Sequence, residues 1–492
     1  MCVEPSLLSI GIATRYERHR PEATLLYQLV ERHYPEFLVE LATRGRSVPT
    51  YVEREFEAYL KCGRLEHGFL RVRCTTCQAE RLLAFSCKRR GFCPSCGARR
   101  MTESAALLVD AVLPRVPIRQ WVLSVPFPLR FLFAAEPAAM GQVLGIVYRA
   151  IARHLLKKAG LTKTTGQTGA VTLIQRFGSA LNLNIHFHML CLDGVYARVN
   201  GQAQFQRVPP PTKMELESVL ECITIRIGRH LERCGLLVRD AESSHLSREP
   251  GEDAGLEALQ SHSIGYRIAV GPHEGRKAFA LQTVPACGTP ARVNPYLANA
   301  GGFSLHAGVA VRANDRSTLE RLCRYITRPA LATGRLALTP QGRVRYTLKT
   351  PYRDGTTHVV FEPLDFIARL AALVPRPRVH LTRYHGVFAP HSALRAQITP
   401  AGRGTRKPAT EHRSSAEKHR AMSWAQRLKR VFKLDLESCA GCGGQVRVIA
   451  CIEDAGVIGK ILAHLERQHP SVTTVPPLPA RGPPRQGALE LG

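Results

Sequence analysis

The sequence predicts an α+β protein with several domains. Its 492 residues are too many for one ordinary hydrophobic core. Residues 21–60 carry apolar side chains at intervals of three and four, which is typical of helices. The stretch AVTLIQRF, a polar turn and the stretch IHFHMLCLDGVY are typical of two strands in a hairpin. Segments of both kinds share the chain, which favours an α+β architecture.

Further elements follow in order along the chain. Residues 62–100 hold a cluster of cysteines, and helical spacing returns over residues 104–160. A helix is expected over residues 213–237, ending near Gly235. Because segment 238–262 is acidic and rich in glycine, we expect a loop or an insertion there.

The second half of the chain combines strand signals with one helix whose start and end are both marked in the sequence. Strands are expected at YRIAV, KAFALQTV, FSLHAGVAV, RVRYTLKT and HVVFEP. Asp315 is a good N-cap for the segment DRSTLERLCRYITRP. Helical spacing places Leu319, Leu322 and Ile326 on one side of this helix, and Pro329 ends it.

Positive charge dominates the composition. The chain has 68 Lys and Arg residues against 39 Asp and Glu residues, a formal net charge of +29. The cations are clustered, for example over residues 88–90 and 403–433. Such an excess favours nucleic acid as the partner, because phosphates that a protein neutralises release counterions. The expected contacts include Arg89, Arg90, Arg99 and Arg100.

Two stretches of the sequence indicate the cellular compartment of the protein. The N-terminus carries acids early and has no cleavable apolar core, so no signal peptide is expected. The most apolar stretch, WVLSVPFPLRFLFAA, is interrupted by Pro126, Pro128 and Arg130, so no membrane span is expected. We therefore expect a cytoplasmic, nucleoid-associated protein. In that reducing compartment the 15 cysteines are not expected to form disulfides.

Two CxxC pairs predict a zinc site. Cys74 and Cys77 form the first pair, and Cys93 and Cys96 follow after fifteen intervening residues. This is the spacing of a four-cysteine zinc ribbon, in which two tight turns close a tetrahedron of thiolates around one Zn²⁺. Because four thiolates leave no open position, the zinc is expected to be structural.

Other potential zinc ligands remain open at this level. The same region contains Cys62, His67 and Cys87, which could form part of a second site or replace one of the four cysteines. A third CxxC pair, Cys439 and Cys442, is only half a site. It could be completed by Cys451, His464 or His469.

The stretch NIHFHML places His186 and His188 on alternate positions. In a strand these side chains share one face, about 7 Å apart, while Phe187 points to the other face. Two neutral imidazoles suit a divalent metal that polarises a phosphate oxygen. Two unrelated surface or core histidines are the alternative. The third-ligand candidates, in order of preference, are Gln175, then His306, then Asn184 or Asp193.

A tyrosine within the expected helix is a candidate nucleophile. Tyr325 is flanked by Arg324 and Arg328 in RYITRP. A free phenol, with a pKa of roughly 10, is a poor nucleophile unless positive charge or a metal favours the phenolate. The two arginines supply part of that field and can also bind phosphates. An ordinary tyrosine of an amphipathic helix is the alternative, and spacing alone does not separate the two.

Taken in order, the zinc ribbon, NIHFHML and RYITRP resemble a known family. They are similar to the rolling-circle insertion-sequence transposases of the IS-ninety-one-like (IS91-like) group, which are HUH endonucleases (His, bulky hydrophobic residue, His). The resemblance spans roughly residues 20–465. It includes the phrases LAFSCKRRGFCPSCGARRM, QRFGSALNLNIHFHML, GFSLHAG, LKTPYRDGT and RYHGVFAPHS.

The resemblance implies a mechanism, its cofactors and its partner. A Mg²⁺ or Mn²⁺ ion held by His186, His188 and Gln175 polarises the scissile phosphate of single-stranded DNA. The hydroxyl of Tyr325 attacks this phosphate, which gives a 5′-phosphotyrosine link and a free 3′-OH. A 3′-OH that attacks the link rejoins the strands. The implied partner is DNA, as single-stranded element ends and as target, and no membrane is involved.

The resemblance, together with the Gly-, Pro- and Ser-rich composition of the linker and the Pro- and Gly-rich composition of the tail, suggests a domain plan. The catalytic domain would be a small antiparallel sheet with the two histidines on a central strand and the tyrosine helix across one face. The expected parts are a helical and zinc-ribbon domain (1–103), the HUH catalytic domain (104–335), its C-terminal extension (336–398), a basic linker (399–430), a small CxxC module (431–470) and a disordered tail (471–492).

One position departs from part of the family. Some relatives carry two tyrosines four residues apart on the nucleophile helix, whereas the position four before Tyr325 is Arg321. The chain therefore resembles the single-tyrosine branch, and the second cut needs reuse of Tyr325 or a second copy in a homo-oligomer. Two alternative hypotheses are a zinc-ribbon DNA-binding regulator with structural histidines and a transposase remnant that folds but does not cut.

Overall fold

The computed structural model describes six stretches of the chain, residues 20–240, 244–247, 253–282, 294–352, 354–402 and 436–468. The expected basic linker beyond residue 402 and the expected disordered tail lie outside these stretches. Contacts between residues divide the chain into two units. Of the described residues, the small unit contains 20–24, 61–87 and 436–468, and the large unit contains the others.

The helices are spread along the whole chain. In order, they are α1 (Leu25–Thr43), α2 (Thr50–Lys61), α3 (Pro94–Leu107), α4 (Phe127–Ala135), α5 (Pro137–Lys158), α6 (Lys213–Arg233), α7 (Ala254–Ile264), α8 (Arg316–Ile326), α9 (Pro363–Leu373), α10 (Arg395–Ile398) and α11 (Ala455–Gln468). A π-helical turn, Leu108–Val112, continues α3. No helix among the described residues is long and apolar enough to cross a membrane.

The strands of the described residues form five antiparallel sheets. In chain order, they are β1 (Phe69–Cys74), β2 (Glu80–Ala84), β3 (Ile118–Ser124), β4 (Gly166–Gln167), β5 (Gly169–Phe177), β6 (Leu183–Leu192), β7 (Gly194–Val199), β8 (Gln202–Arg207), β9 (Leu237–Arg239), β10 (Ser244–Leu246), β11 (Phe279–Gln282), β12 (Leu297–Ala300), β13 (Phe303–Val311), β14 (Leu336–Leu338), β15 (Val344–Thr347), β16 (Thr356–Phe361), β17 (Thr382–Gly386) and β18 (Val446–Ile452). Together with the helices, they confirm the predicted α+β class.

A six-stranded sheet forms the centre of the large unit. Its strand order is β12-β13-β3-β6-β5-β17, so β3 and β6 are paired on both sides. One face carries Trp121 and Phe187, which pack with apolar residues of α4, α5 and α6. The other face carries Leu173 and Leu190, which pack with apolar residues of α3 and α8. Because both faces are covered, this sheet is a rigid platform for side chains that project from it.

The remaining sheets of the large unit are smaller. Strands β11-β16-β15-β14 form a four-stranded sheet, β4-β7-β8 a three-stranded sheet and β10-β9 a two-stranded one. The small unit has its own three-stranded sheet in the order β18-β1-β2, which joins residues 69–84 to the C-terminal module. The units thus do not follow chain order, since the module shares a unit with residues 61–87.

Several predicted elements are confirmed. The hairpin appears as β5 and β6, the helix that ends near Gly235 as α6, and the helix opened by Asp315 as α8. The Asp315 carboxylate accepts the backbone N–H of Thr318 at 3.0 Å, as an N-cap residue does. The strand predictions FSLHAGVAV, RVRYTLKT and HVVFEP appear as β13, β15 and β16, and KAFALQTV contributes β11.

Three predictions are wrong. The helical spacing expected over 104–160 is interrupted by the strand β3, a short apolar run that periodicity alone cannot distinguish from a buried helix. The expected loop at 238–262 contains the helix α7, whose polar residues Glu257, Gln260 and Ser263 are buried together with its apolar ones and obscure its amphipathic pattern. The expected strand YRIAV makes only an isolated bridge, between Arg267 and Lys277.

Candidate active site and cysteine group

The two histidines of NIHFHML lie on β6, in the interior of the six-stranded sheet. The ring centroids of His186 and His188 are 4.9 Å apart, so both side chains project from one face. Phe187 is fully buried on the opposite face, where its ring centroid lies 5.9 Å from that of Phe133. The alternation of the strand therefore anchors the site from behind, as the sequence pattern predicts.

Hydrogen bonds hold one nitrogen of each imidazole. Nδ1 of His186 donates to the backbone carbonyl of Asn184 at 2.9 Å. Nδ1 of His188 lies 2.6 Å from the side-chain amide of Gln120, on the neighbouring strand β3. Nε2 of His188 is buried and has no hydrogen-bond partner among the described residues. A buried ring nitrogen in that state is where a metal ion would bind.

Burial keeps both imidazoles neutral. It lowers the pKa of His186 to about 4, although the hydrogen bond to Asn184 acts to raise this pKa; the charges of Arg328 and Arg130 lower it further. Burial also holds the pKa of His188 well below its usual range, and the charges of His186 and Arg328 act in the same direction. Neutral imidazole is the form that ligates metals.

Gln175 links the histidine strand to the tyrosine helix. It is the Cα partner of His186 across β5 and β6, so it shares the histidine face. Its Nε2 donates at 2.9 Å to the carbonyl of Ile326, the last residue of α8. The C-terminal end of α8, which carries Tyr325, is therefore fixed beside the strand partner of His186.

The other third-ligand candidates differ in availability. Asn184 lies two residues before His186 on the same strand face, and its Oδ1 is buried without a hydrogen-bond partner among the described residues. His306 pairs with Val122, which in turn pairs with His188. His306 is therefore two strands away from His188, roughly 10 Å. Asp193 is held in a buried pair by Arg119, with N···O distances of 2.7 and 3.0 Å.

Tyr325 is half-buried and surrounded by cations. The guanidinium of Arg328 lies 4.3 Å from the ring centroid of Tyr325, and Nζ of Lys349 lies 4.8 Å from it. Arg328 also donates to the backbone carbonyl of Tyr325 at 3.0 Å. The charge of Arg328 also acts to lower the pKa of both histidines, after larger contributions led by burial.

The basic residues proposed for DNA contact are partly engaged in internal bonds. Arg90 donates to the carbonyls of Val379 and Arg376, at 2.5 and 3.1 Å. Arg100 donates to the carbonyl of Lys88 at 2.9 Å. Further bonds of this set are the ion pair of Arg99 with Glu103 at 3.0 Å and the bond from Arg100 to the carbonyl of Arg89 at 3.3 Å. Nε of Arg324 is buried. These internal contacts stabilise loops and helix ends, so the arginines have a structural role in addition to the DNA contact expected of them.

The cysteines do not group as the sequence spacing suggests. The sulfur atoms of Cys74 and Cys77 lie within 4.8 Å of those of Cys439 and Cys442. The expected tetrahedron of Cys74 and Cys77 with the pair at residues 93 and 96 is therefore wrong. The reason is that β18 pairs with β1 and carries the C-terminal CxxC turn to the first one.

The four-cysteine group also corrects the further ligands expected for the pair Cys439 and Cys442, because Cys74 and Cys77 complete that group. Cys451 is exposed on β18 and its thiol lies 3.6 Å from a carboxylate oxygen of Glu453, whereas His469 lies outside the described residues. Cys93 is the N-cap residue of α3, with Cys96 in the first turn, and both are buried. Cys62 accepts the backbone N–H of Cys87 at 3.3 Å.

One residue of the site was missed from the sequence. Gln120 directly precedes the apolar stretch WVLSVPFPLRFLFAA, within the residues 104–160 for which the sequence predicts helical spacing. Its relation to His188 depends on the pairing of β3 with β6, in which Gln120 faces Leu190 and Val122 faces His188. A pairing between strands some 70 residues apart leaves no local signal, although a strand assignment for residues 118–124 would have placed Gln120 on one face with Val122.

Comparisons with known proteins add the family. The model of a transposase family, Y2_Tnp, matches residues 169–395, which contain the two histidines, Gln175 and Tyr325. The model of the transposase zinc-binding domain, Zn_Tnp_IS91, matches residues 29–125. Searches of curated proteins and of solved structures give no match. Together with the cysteine groups, the second family match supports structural Zn²⁺. The chain belongs to the IS91-like transposases and carries their zinc-binding domain in its N-terminal part.

Proposed function

We propose that this transposase nicks single-stranded DNA at the ends of its element and rejoins the strands through a covalent bond to Tyr325. The observation that carries the proposal is the bond from Gln175, the strand partner of His186, to the last residue of the tyrosine helix. This bond supports the proposal because it holds the end of α8 that carries Tyr325 beside the strand partner of His186. DNA as the partner follows from the transposase family itself.

A divalent cation fits the histidine face. The donors available to it are Nε2 of His188 and Oδ1 of Asn184, both buried without a partner among the described residues, together with His186 and Gln175. Nitrogen and amide-oxygen donors of this kind, with positions left for phosphate oxygens, suit Mn²⁺ or Mg²⁺. When bound, the cation would polarise the scissile phosphate and stabilise charge on its oxygens.

Gln120 would act as a positioning residue for His188. A half-turn of its amide puts Oε1 in the place from which it accepts Nδ1–H of the imidazole. His188 then keeps the lone pair of Nε2 for a metal and has a fixed ring orientation. Since Gln120 is buried on β3, this orientation is set before DNA binds.

Arg328 and Lys349 would stabilise negative charge at the reacting atoms. Both cations lie beside the ring of Tyr325, at 4.3 and 4.8 Å from its centroid. They favour the phenolate oxygen as it forms and can bind the non-bridging oxygens of a phosphate. Arg328 is also fixed by its bond to the carbonyl of Tyr325, so the charge is in place before the reaction.

The reaction is an exchange of phosphodiester bonds. The oxygen of Tyr325 forms a bond to phosphorus and loses its proton to solvent, while the bond from phosphorus to the 3′-oxygen breaks and that oxygen gains a proton. Strand joining reverses the exchange, with a 3′-OH as nucleophile and Tyr325 as leaving group. No bond energy is lost overall, so the exchange requires no nucleotide cofactor. Helix α8 carries one tyrosine, so a second cut requires its release or a second copy of the chain.

Structural zinc would hold the N-terminal domain. The zinc-binding match contains six cysteines, of which Cys74 and Cys77 belong to the group described above. The family match and the thiolates of this region support structural Zn²⁺ as a cofactor of the domain.

A covalent-adduct assay tests the proposal. Single-stranded oligonucleotides that span the element ends would be incubated with the protein and Mg²⁺ or Mn²⁺, and the products separated on a denaturing protein gel. We expect a DNA-linked band with the wild-type protein and none with Tyr325→Phe. The matched control is Tyr384→Phe, since Tyr384 packs against the same core and has the guanidinium of Arg395 over its ring at 5.7 Å.

The outcomes separate the hypotheses. An adduct that survives Tyr325→Phe would keep the reaction class and move the nucleophile to another tyrosine. DNA binding without any adduct, in the wild-type protein as in the variants, would contradict the nicking activity. That result would favour the DNA-binding regulator or the inactive remnant.

A further inference from the structure

The C-terminal CxxC pair is joined to the N-terminal one in the small unit. Sγ of Cys74 lies 3.5 Å from Sγ of Cys442, and Sγ of Cys77 lies 3.5 Å from Sγ of Cys439. All four sulfur atoms are within 4.8 Å of one another. Four thiols from two distant parts of the chain thus meet at one point.

These distances match a metal site and not a disulfide. A disulfide would bring two sulfur atoms to about 2.05 Å. Four thiolates at about 2.3 Å from a tetrahedral zinc ion are about 3.8 Å from one another. The 3.5 Å distances between the sulfur atoms are close to this value, and four thiolates are the ligand set of a closed structural site.

The backbone is also arranged for a metal. The N–H groups of Thr76 and Gly444 each point at a cysteine sulfur, at 3.4 Å, which favours a thiolate there. Thr75 donates its N–H to the carbonyl of Gln445 at 2.8 Å, which ties the two turns together. A Cβ at Gly444 would lie 2.4 Å from Oγ1 of Thr76 and 2.9 Å from Sγ of Cys74. A glycine is therefore required for the second turn to approach the first.

Among the described residues, few buried apolar side chains hold the C-terminal module in place. Strand β18 pairs with β1 from Cys74 opposite Val446 to Phe69 opposite Ile452, but most of its side chains are exposed. Among the described residues of the small unit, the buried apolar side chains other than cysteine are those of Pro21, Phe69, Val72, Leu436 and Ile458. So small a core rarely suffices without a metal or a disulfide.

We propose that Cys74, Cys77, Cys439 and Cys442 bind one structural Zn²⁺ ion that fastens the C-terminal module to the N-terminal hairpin β1–β2. The family models reach neither Cys439 nor Cys442, since they match residues 29–125 and 169–395. The ion closes a loop of 362 residues between Cys77 and Cys439. A link of that length constrains the chain more than a local ribbon does. This inference does not depend on the chemistry of Tyr325.

Zinc content of the full-length protein gives the first test. We expect Cys439→Ser/Cys442→Ser to lose one zinc ion per chain relative to the wild type, by elemental analysis. Cys74→Ser/Cys77→Ser should lose the same single ion, and the quadruple variant should lose no more than either pair. The control is Cys451→Ser, an exposed cysteine of β18 outside the group, which should retain full zinc content. Two ions lost in the quadruple variant would assign the pairs to different sites and overturn the proposal.

A cleavage experiment gives the second test and does not depend on variant folding. A protease site is introduced near residue 420, between the described parts of the chain, and this protein, with all its cysteines kept, is cut there. We expect the C-terminal fragment to remain bound to the rest on gel filtration and to leave it when a zinc chelator is added, because Cys77 and Cys442 are exposed. A fragment that dissociates with zinc present, or that stays bound after zinc is removed, would contradict the proposal.

Discussion

The histidine–tyrosine site and the cysteine group of this transposase both collect metal-ligating side chains, yet different forces hold them. His186 and His188 project from a sheet that is buried on both faces, and Phe187 anchors their strand from behind. The group of Cys74 and Cys439 lies in a unit whose described residues include few buried apolar side chains. We therefore expect a metal ion at the histidines, whose positions the core already fixes, to serve chemistry. We expect an ion at the cysteines, where the core is small, to contribute the missing cohesion.

The largest effect that would sharpen this comparison is expected for the double variant His186→Ala/His188→Ala. Loss of the cation that stabilises the phosphate costs several kcal/mol of barrier, so adduct formation should fall by about 1,000-fold or more. The thermal unfolding midpoint should change little, because the apolar core remains. Both quantities would be measured on the same preparations, the first by gel and the second by calorimetry.

The matched control for this pair is His154→Ala. His154 is half-buried, but its ring lies near Trp121, which belongs to the opposite face of the sheet. It should leave adduct formation near the wild-type level. A double variant that unfolds at markedly lower temperature while it still forms adduct would reverse the comparison, making the histidines structural.

A second prediction concerns the core behind the histidines. Phe187→Ala should lower the free energy of unfolding of the large unit by about 3–5 kcal/mol, since it leaves a cavity in a fully buried position. Phe187→Leu, which keeps most of the volume, should cost less than half as much. Urea titrations followed by circular dichroism would measure both. A loss below about 1 kcal/mol for the alanine variant would show that packing does not hold this strand.

The smallest of the three effects is expected at Gln120. Gln120→Leu removes the acceptor for Nδ1–H of His188 and should reduce metal affinity, read from the Mn²⁺ dependence of adduct formation, by about 10- to 100-fold. Gln120→Glu keeps an acceptor at that place and should restore most of the affinity. Equal losses in the two variants would show that the side chain serves packing rather than orientation of the imidazole.

Local signals in the sequence predicted the elements that carry the site. The cap at Asp315 and the spacing of Leu319, Leu322 and Ile326 are sufficient to predict α8. Helix ends and amphipathic faces are encoded within a few residues of the sequence. The alternation of histidines with apolar residues in NIHFHML is sufficient to predict the strand β6 and to predict that its two histidines share one face. The family phrases then led to the transposases.

The sequence predictions that are wrong concern contacts between residues far apart in the chain. Strand β3 is covered on both faces and so lacks the alternation that marks a half-buried strand, and with it Gln120 was missed. The partner of Cys74 was expected at Cys93 because the spacing of a zinc ribbon is local. The actual partner pair begins at Cys439, and only the β1–β18 pairing shows this. No pattern in one sequence encodes such a pairing.

The most direct test of the catalytic proposal identifies the residue that carries DNA. The adduct from the wild-type protein would be digested with nuclease and trypsin, and its peptides analysed by mass spectrometry. We predict a nucleotide remnant on the peptide YITRPALATGR, residues 325–335, whose single tyrosine is Tyr325. A remnant on a peptide that lacks Tyr325 would contradict the assignment of α8 as the nucleophile helix.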